Sequence, residues 1–388
     1  MVIAGGGVAA IETCLALHAL AGDRVLVTLI APNTYFTYRP VSRHDPLGLS
    51  DHARVPLAYV ARAAGADLRH DRVVDVEPDA RLVHTASGYE LSYDALVLAV
   101  GARTAPVAAG ALPLVPRRAA DCRAVIHAVA RGDVGSLAFV VPPAPTQELE
   151  VYDLAIETAV VASRQGASPV LTLVTPGAAP LDIAGERAAN TLRLGLASHG
   201  IRLVESAHLR RIVDGALDLV PGPRDVFAER VIAAPRLRGP DAAHLPTDAD
   251  GFLLTDRCGR VPDVGGVFAA GDCTEFPVKH PSIAAQQANA VAATIAGRPD
   301  PFTPVLRCTL PSRLRWYVEA PLTGGKGDAT RISTHPLWAG ETRFGARHLV
   351  PWLAALRRPA SDPLRGSGEL LSSSPPATLG RARMRTEA

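Results

Sequence analysis

The sequence predicts an α/β fold of two doubly wound, dinucleotide-binding-type domains, the second inserted in the first, with a small carboxy-terminal region. Three observations carry this. A short apolar strand, Met1 to Ala4, runs into Gly5-Gly6-Gly7 and then into a stretch with helical apolar spacing, Ala9 to Leu20. A second apolar run, Tyr93 to Ala102, closes on Gly101, and a third, Val267 to Ala270, closes on Gly271-Asp272 far downstream. Between them Leu137 to Val141 opens a separate alternation of strand and helix, which calls for its own parallel sheet.

The amino-terminal unit is a strand, a tight turn and a helix. Gly5 permits the turn, Gly7 lets the backbone approach a pyrophosphate on the helix amino terminus, and Ala10 takes the close-packing third position. A second strand, Val25 to Ile30, follows, but Ala31-Pro32-Asn33 stands where an acidic residue usually holds a ribose, so Asn33 or backbone groups are expected to hold it. Ala99 and Gly101 on the second run, and Gly271 and Asp272 on the third, complete the candidate dinucleotide edge.

The inserted unit departs from the pattern where it matters chemically. Its first turn reads Pro142-Pro143-Ala144-Pro145-Thr146-Gln147-Glu148-Leu149-Glu150-Val151-Tyr152. It has no glycine, its prolines remove amide donors, and Glu148 and Glu150 repel a pyrophosphate. A helix is expected from Asp153 to Arg164 and a strand from Val170 to Val174. That strand ends at Thr175-Pro176, without an acidic residue for a nicotinamide ribose or an arginine for a 2′-phosphate.

The joints are read at Arg103-Thr104-Ala105-Pro106 and at Pro235 to Pro246. Residues 1–106 and 245–305 then form the first domain, 107–244 the inserted one, 306–358 a carboxy-terminal region, and 359–388 a tail rich in Ser, Pro, Gly and Arg that is expected to be disordered.

At 388 residues and 48% hydrophobic, the chain can bury the core of two or three domains. A net charge of +2 with scattered basic residues excludes nucleic acid as a main partner. No uncharged apolar stretch is long enough for a transmembrane helix, and residues 1–21 lack the basic start of a signal peptide. Five cysteines, Cys14, Cys122, Cys258, Cys273 and Cys308, show no paired spacing, which points to a reducing cytoplasm. The histidines, among them His44, His52, His280 and His335, show no ligand spacing, so no metal is expected.

These residues carry a resemblance to the FAD-dependent pyridine nucleotide-disulfide oxidoreductase superfamily, in its sulfide:quinone oxidoreductase and flavocytochrome c sulfide dehydrogenase branch. Type II NADH dehydrogenases are more distant relatives. The resemblance covers nearly all of residues 1–358. It rests on the glycine turn, on Val27-Thr28-Leu29-Ile30-Ala31-Pro32-Asn33-Thr34-Tyr35-Phe36 followed by Pro40, and on Tyr152-Asp153-Leu154-Ala155. Gly200-Ile201, Gly271-Asp272, and Lys279 ahead of Gln286-Gln287-Ala288 complete it.

It implies two Rossmann-like domains and an FAD held by Gly5, Gly7, Ala10, Asn33, Arg39, Ala99, Gly101, Gly271, Asp272 and Gln287, with Asp272 accepting from a ribityl hydroxyl. It also implies Lys279 beside the isoalloxazine, stabilising the anionic reduced flavin. No cysteine lies among Tyr35 to Arg43 to tether the flavin, so the FAD is expected to be non-covalent.

Sulfide oxidation in the branch uses two cysteines at the flavin. Gln147 or its neighbours take the place of the first here, and Cys308 lies near the place of the second, so the pair is incomplete. Cys122 is read as structural, on an exposed helix from Ala119 to Ala130. Cys273 is read as facing the pyrophosphate, and Cys14 as packing.

The expected activity is FAD-dependent oxidation of a small-molecule or protein electron donor, with a quinone or similar acceptor. Two alternatives stand beside it: an NADH:quinone oxidoreductase, and an FAD-binding interaction module without turnover. A homodimer is also expected. Phe344 to Arg358 is read as a helix with Leu349, Trp352, Leu353 and Leu356 on one side and Arg343, Arg347 and Arg358 on the other. It suits a weak peripheral contact on the inner face of the membrane and equally the capping of a soluble core, with Pro351 as an interruption.

Overall fold

The computed structural model describes residues 1–37, 54–143, 145–222, 226–310, 316–322, 329–339 and 342–356. Arg39, His44, His52 and the tail beyond residue 358 lie outside these.

The chain opens with β1 (Val2–Ala4), α1 (Val8–Ala21) and β2 (Thr28–Ile30), then a small ribbon of β3 (Tyr35–Thr37) and β4 (Arg54–Pro56). There follow α2 (Leu57–Ala64), β5 (Asp67–Arg69), an antiparallel meander of β6 (Val73–Glu77), β7 (Leu82–Thr85) and β8 (Glu90–Ser92), and then β9 (Leu96–Leu98). The strands β9, β1, β2 and β5 lie side by side and parallel.

Alternation along each strand sorts the side chains onto two faces. Ile3, Leu29 and Val97 point to α1 and α2, while Val2, Ala4, Ile30, Leu96 and Leu98 point to Val76 and Val83 of the meander. Helices therefore cover one face of this sheet, and an antiparallel ribbon covers the other.

Next comes β10 (Arg103–Ala105), β11 (Leu112–Pro113), α3 (Ala119–Ala130), β12 (Ser136–Val140), α4 (Glu148–Arg164), β13 (Val170–Val174), α5 (Glu186–Ser198) and β14 (Arg202–Val204). A hairpin of β15 (His208–Val213) and β16 (Ala216–Val220) precedes β17 (Arg230–Ala233) and β18 (Arg236–Arg238). The second parallel sheet runs β11-β17-β12-β13-β14. Leu137, Phe139, Leu171, Leu173 and Ile232 face the helices, and Ala138, Val140, Val174 and Val231 face the hairpin. The two joint segments are not free loops, since β10 and β18 pair antiparallel as a ribbon of their own.

The chain then returns to the first sheet with β19 (Val267–Ala269), which pairs with β9 and sets the order β19-β9-β1-β2-β5. After α6 (Pro281–Ile295) come β20 (Val305–Leu310), β21 (Trp316–Pro321) and β22 (Arg331–Ser333), an antiparallel sheet whose Leu306, Cys308, Leu310, Val318 and Ala320 join the core around α4. The last described helix is α7 (Leu349–Leu356). Pro351 sits in its first turn, where the missing amide has no helical partner to lose, and does not interrupt it.

Leu349, Val350 and Leu353 of α7 are buried in the first core, while Leu356 is 40% exposed. The cap comes from a distant residue. Glu12, fully buried on α1, accepts from the backbone amides of Arg347 (2.9 Å), His348 (3.0 Å) and Leu349 (2.7 Å) and from the Asn289 side chain (2.8 Å). Its carboxylate satisfies amides that a helix start leaves without partners.

Candidate functional site

The candidate cofactor edge is the carboxyl end of the first sheet, where β1 lies between β2 and β9 and the connections diverge to opposite sides. Gly5 has φ +130°, donates its amide to Ile30 O at 2.8 Å, and stands so close to β9 that a Cβ would meet Ala99 O at 2.1 Å. Only glycine fits there. Gly7 is the N-cap of α1, and a Cβ on it would meet nothing within 4 Å, so the amides opening this helix look onto free space.

Ala10 is fully buried beneath the turn, and Asn33 is exposed just past the end of β2. Gly101 has φ +73° with open space at its Cβ position. Gly271 has φ +87°, and a Cβ on it would meet the Ala9 methyl at 3.0 Å. Four strand ends thus combine a close backbone approach, an open helix amino terminus and small residues, which fits a dinucleotide lying along the edge. Gly5, Gly7, Ala10, Asn33, Ala99, Gly101 and Gly271 all lie along it, and Arg39 falls outside the described residues.

The Gly271-Asp272 segment is held from two sides. Gln287 accepts from the Gly271 amide at 2.8 Å and donates to Thr274 Oγ1 at 3.0 Å, so it shapes the turn from within the fold. Asp272 accepts from the Gln147 amide Nε2 at 2.9 Å. Burial raises the Asp272 pKa, Lys279 and the Gln147 hydrogen bond oppose the rise, and Glu150 adds to it.

Lys279 is 4% exposed. It donates to Thr274 O, and its Nζ lies 3.8 Å from the Phe252 ring centroid. Burial lowers its pKa, and Asp272 foremost among its neighbours opposes this. A buried lysine and a partly buried aspartate therefore compensate each other beside the glycine turn.

Cys273 corrects the reading given to it above. Its Sγ donates to Leu98 O at 3.2 Å and Ala270 O at 3.3 Å, so it points into the first sheet and away from the pyrophosphate region. Once Asp272 turns outward, the next side chain turns in.

The inserted unit's crevice differs in detail from the sequence reading. α4 begins at Glu148, five positions before the expected Asp153, so both carboxylates Glu148 and Glu150 sit in its first turn. Tyr152, fully buried, donates its hydroxyl to Glu148 Oε2 at 3.0 Å and lies 3.5 Å from Thr175 Oγ1 at the end of β13. Burial pushes the Glu148 carboxyl up to about 7; the Tyr152 hydrogen bond opposes this and Asp182 adds to it. Glu148, Tyr152 and Thr175 thus meet between the ends of β12 and β13, where a second dinucleotide would lie.

Cys308 lies on β20, buried against α4. Burial, then Asp153 and Glu148, push its thiol far above the ordinary range, and Asp153 itself pairs with Arg343. Among the described residues no hydrogen bond or ion pair joins Cys308 to Lys279 or Asp272. Cys122 lies on the expected helix, but its side chain is fully buried, because it faces the core under α3 and not solvent; its thiol is pushed up to about 11, chiefly by burial. All five cysteines are free.

Two contacts at these sites escaped the sequence reading, the Tyr152–Glu148 hydrogen bond and the approach of Lys279 to the Phe252 ring. Glu148 and Tyr152 stand at i,i+4, a detectable signal once the helix start is placed correctly. Phe252 had none, since it meets Lys279 only through the tertiary fold.

The sequence model of the pyridine nucleotide-disulphide oxidoreductase family matches residues 1–293. A sulfide-quinone reductase of Aquifex aeolicus (strain VF5) is 34% identical over 103 residues, which is 26% of this chain and 24% of that relative's length. The crystal structure of the sulfide:quinone oxidoreductase of Aquifex aeolicus superposes with TM-score 0.76 at 20% identity, covering 86% of each chain. A ferredoxin reductase from Rhodopseudomonas palustris superposes with TM-score 0.65 at 18% identity, covering 84% of this chain and 83% of that one. At these identities the superpositions speak for the fold.

Proposed function

This chain belongs to the pyridine nucleotide-disulphide oxidoreductase family, and we propose that within it the protein is a sulfide:quinone oxidoreductase-like enzyme whose donor is not a nicotinamide. It is an FAD-dependent oxidoreductase. Electrons pass from a small reductant or a protein through non-covalent FAD to a quinone or similar acceptor.

One observation carries the choice of donor. The crevice that would seat a nicotinamide dinucleotide holds Glu148 and Tyr152 hydrogen-bonded to each other, with Pro142, Pro143 and Pro145 in the preceding turn. A pyrophosphate there would meet no glycine amides and would have to displace a partly buried acid.

FAD supplies two-electron chemistry when bound, and the chain's residues supply its setting. The amides opening α1 would hold the pyrophosphate, Asp272 would accept from the ribityl chain, and Lys279 would place a buried positive charge where negative charge develops on reduction. Cys308, a buried thiol of raised pKa without a second cysteine at Gln147, supports a donor other than one that needs a cysteine pair.

The inserted carboxylates at the crevice, rather than any membrane feature, favour this reading. No helix among the described residues is long and apolar enough to cross a membrane.

An anaerobic screen of flavin reduction against sulfide, thiols, NADH, NADPH and reduced quinones tests the proposal. Bleaching by a thiol, sulfide or quinol with NADH and NADPH inert supports it; rapid, saturable bleaching by NADH overturns it.

A further inference from the structure

We propose that the outward face of the β10–β18 ribbon is the docking surface for an acidic electron-carrier protein. In its antiparallel register Arg103 stands directly opposite Arg238, and Ala105 opposite Arg236. Strand partners and residues two apart share a face, so three guanidinium groups project from one side of a two-stranded ribbon. All three residues are exposed, whereas Leu237 between two of them is buried.

Like charges set opposite each other destabilise a strand pair. Little here offsets that cost. Arg103 pairs with Asp241, but the two side chains are 62% and 70% exposed, a setting in which an ion pair is largely screened. Arg236 and Arg238 have no side-chain partner among the described residues. Asp248 Oδ1, further along the chain, is taken up by the backbone amides of Asp250 and Phe252, at 2.9 Å each. A cationic face kept at a cost to the ribbon, while a net charge of +2 leaves the whole chain near neutral, fits a negatively charged protein surface.

Position says what kind of acidic protein. Arg103 follows Gly101 by two residues, and Val100, at the same strand end, is 43% exposed. On the other strand Leu237 donates its amide to Pro145 O at 2.9 Å, and Thr146 donates to Pro235 O at 2.9 Å. The next residue, Gln147, reaches Asp272. Both strands of the ribbon therefore lead within a few residues to the edge assigned to FAD, so a carrier bound on the arginines would stand beside that edge. The carrier class rests on the flavin reading above; the surface itself rests on the ribbon alone.

The test measures binding of a plant-type [2Fe–2S] ferredoxin, as the acidic probe, to the full-length FAD-loaded protein by calorimetry at low ionic strength. Binding is expected, weakened at least about tenfold in the double variant R236Q/R238Q and unchanged in R210Q/R211Q, a control pair on the β15 hairpin. Equal affinity in wild type and R236Q/R238Q overturns the proposal, as does failure of the wild type to bind ferredoxin. Binding of phosphatidylglycerol vesicles through the same two arginines, without ferredoxin binding, also overturns it in favour of a lipid surface. Visible absorbance of the protein after incubation with FAD and gel filtration, before ferredoxin is added, separates the two readings: a preparation that retains no flavin yet binds ferredoxin through Arg236 and Arg238 supports the surface and overturns the flavin assignment.

Discussion

The Gln147 side-chain amide donates to the Asp272 carboxylate at 2.9 Å across 125 residues of sequence. It joins the first turn of the inserted unit to the motif assigned to FAD. Replacing Gln147 by Ala removes a donor from a partly buried acid whose pKa is already raised by its surroundings. The expected cost is about 1.5–3 kcal/mol of stability, as for hydrogen bonds to charged groups, together with weaker FAD retention. Urea unfolding of the FAD-loaded protein checks the first, and flavin release on dilution the second; an unchanged midpoint would show that Asp272 does not need this donor.

Glu148 makes stability depend on pH. Its folded pKa is raised from 4.5 to about 7 by burial, so the folded state holds a proton that the unfolded state releases. Stability from this group is present in full below pH 4.5 and falls as pH rises to about 7, by about 3 kcal/mol in all. Glu148→Gln should flatten that slope and raise stability at pH 8, since the amide oxygen still accepts from Tyr152. A wild-type midpoint that rises from pH 5 to pH 7, with the variant following it, would contradict the assignment.

Mixing with NADH or NADPH under argon should leave the flavin oxidised for minutes at millimolar reductant, at or above the KM values typical of enzymes. Double replacement E148G/E150G removes the two carboxylates without restoring the amide cradle, so it should improve NADH oxidation only slightly. Stopped-flow absorbance follows both.

Four of the five thiols are buried and one, Cys258, is partly exposed. Native protein treated with iodoacetamide at pH 8 should therefore carry the label at Cys258, with Cys14, Cys122, Cys273 and Cys308 labelled only after unfolding. Peptide mass spectrometry reads the pattern. Rapid native labelling of Cys308 would instead mark it as an accessible, reactive thiol.

The parts of this molecule legible in its sequence are those in which backbone geometry dictates residue type. Gly5 must be glycine because Ala99 O leaves no room for a Cβ, and Gly101 and Gly271 carry positive φ; such demands leave a mark at fixed spacing. The strands β12 and β13 are legible for a similar reason, since burial on both faces makes them continuous apolar runs. What was not legible depends on partners distant in sequence. The start of α4 lies within a proline-containing, carboxylate-rich stretch that reads locally as a turn, and it is helical with Val151, Tyr152, Leu154 and Ala155 buried in the core of the inserted unit. Cys122 and Cys273 are lone small residues whose direction is set by the tertiary fold. The face of α7 reads equally as membrane-seeking or core-seeking, and the burial of its Leu349, Val350 and Leu353 rests on partners in the first core hundreds of positions earlier.

The contact of Glu12 with the Leu349 amide ties α1 to a segment synthesised much later. Three of the four hydrogen-bond donors to Glu12 are the amides of residues 347 to 349, which leave the ribosome more than three hundred residues after it. Until they arrive, the helix carrying the glycine turn has a carboxylate on its inner face without these partners, which favours keeping that face hydrated. The helix α1 can therefore reach its final packing only after residues 347 to 349, and with them the inserted unit, have emerged. A truncation ahead of residue 347 should consequently disturb α1 at the opposite end of the sequence, and hydrogen exchange along residues 8–21 would register the change.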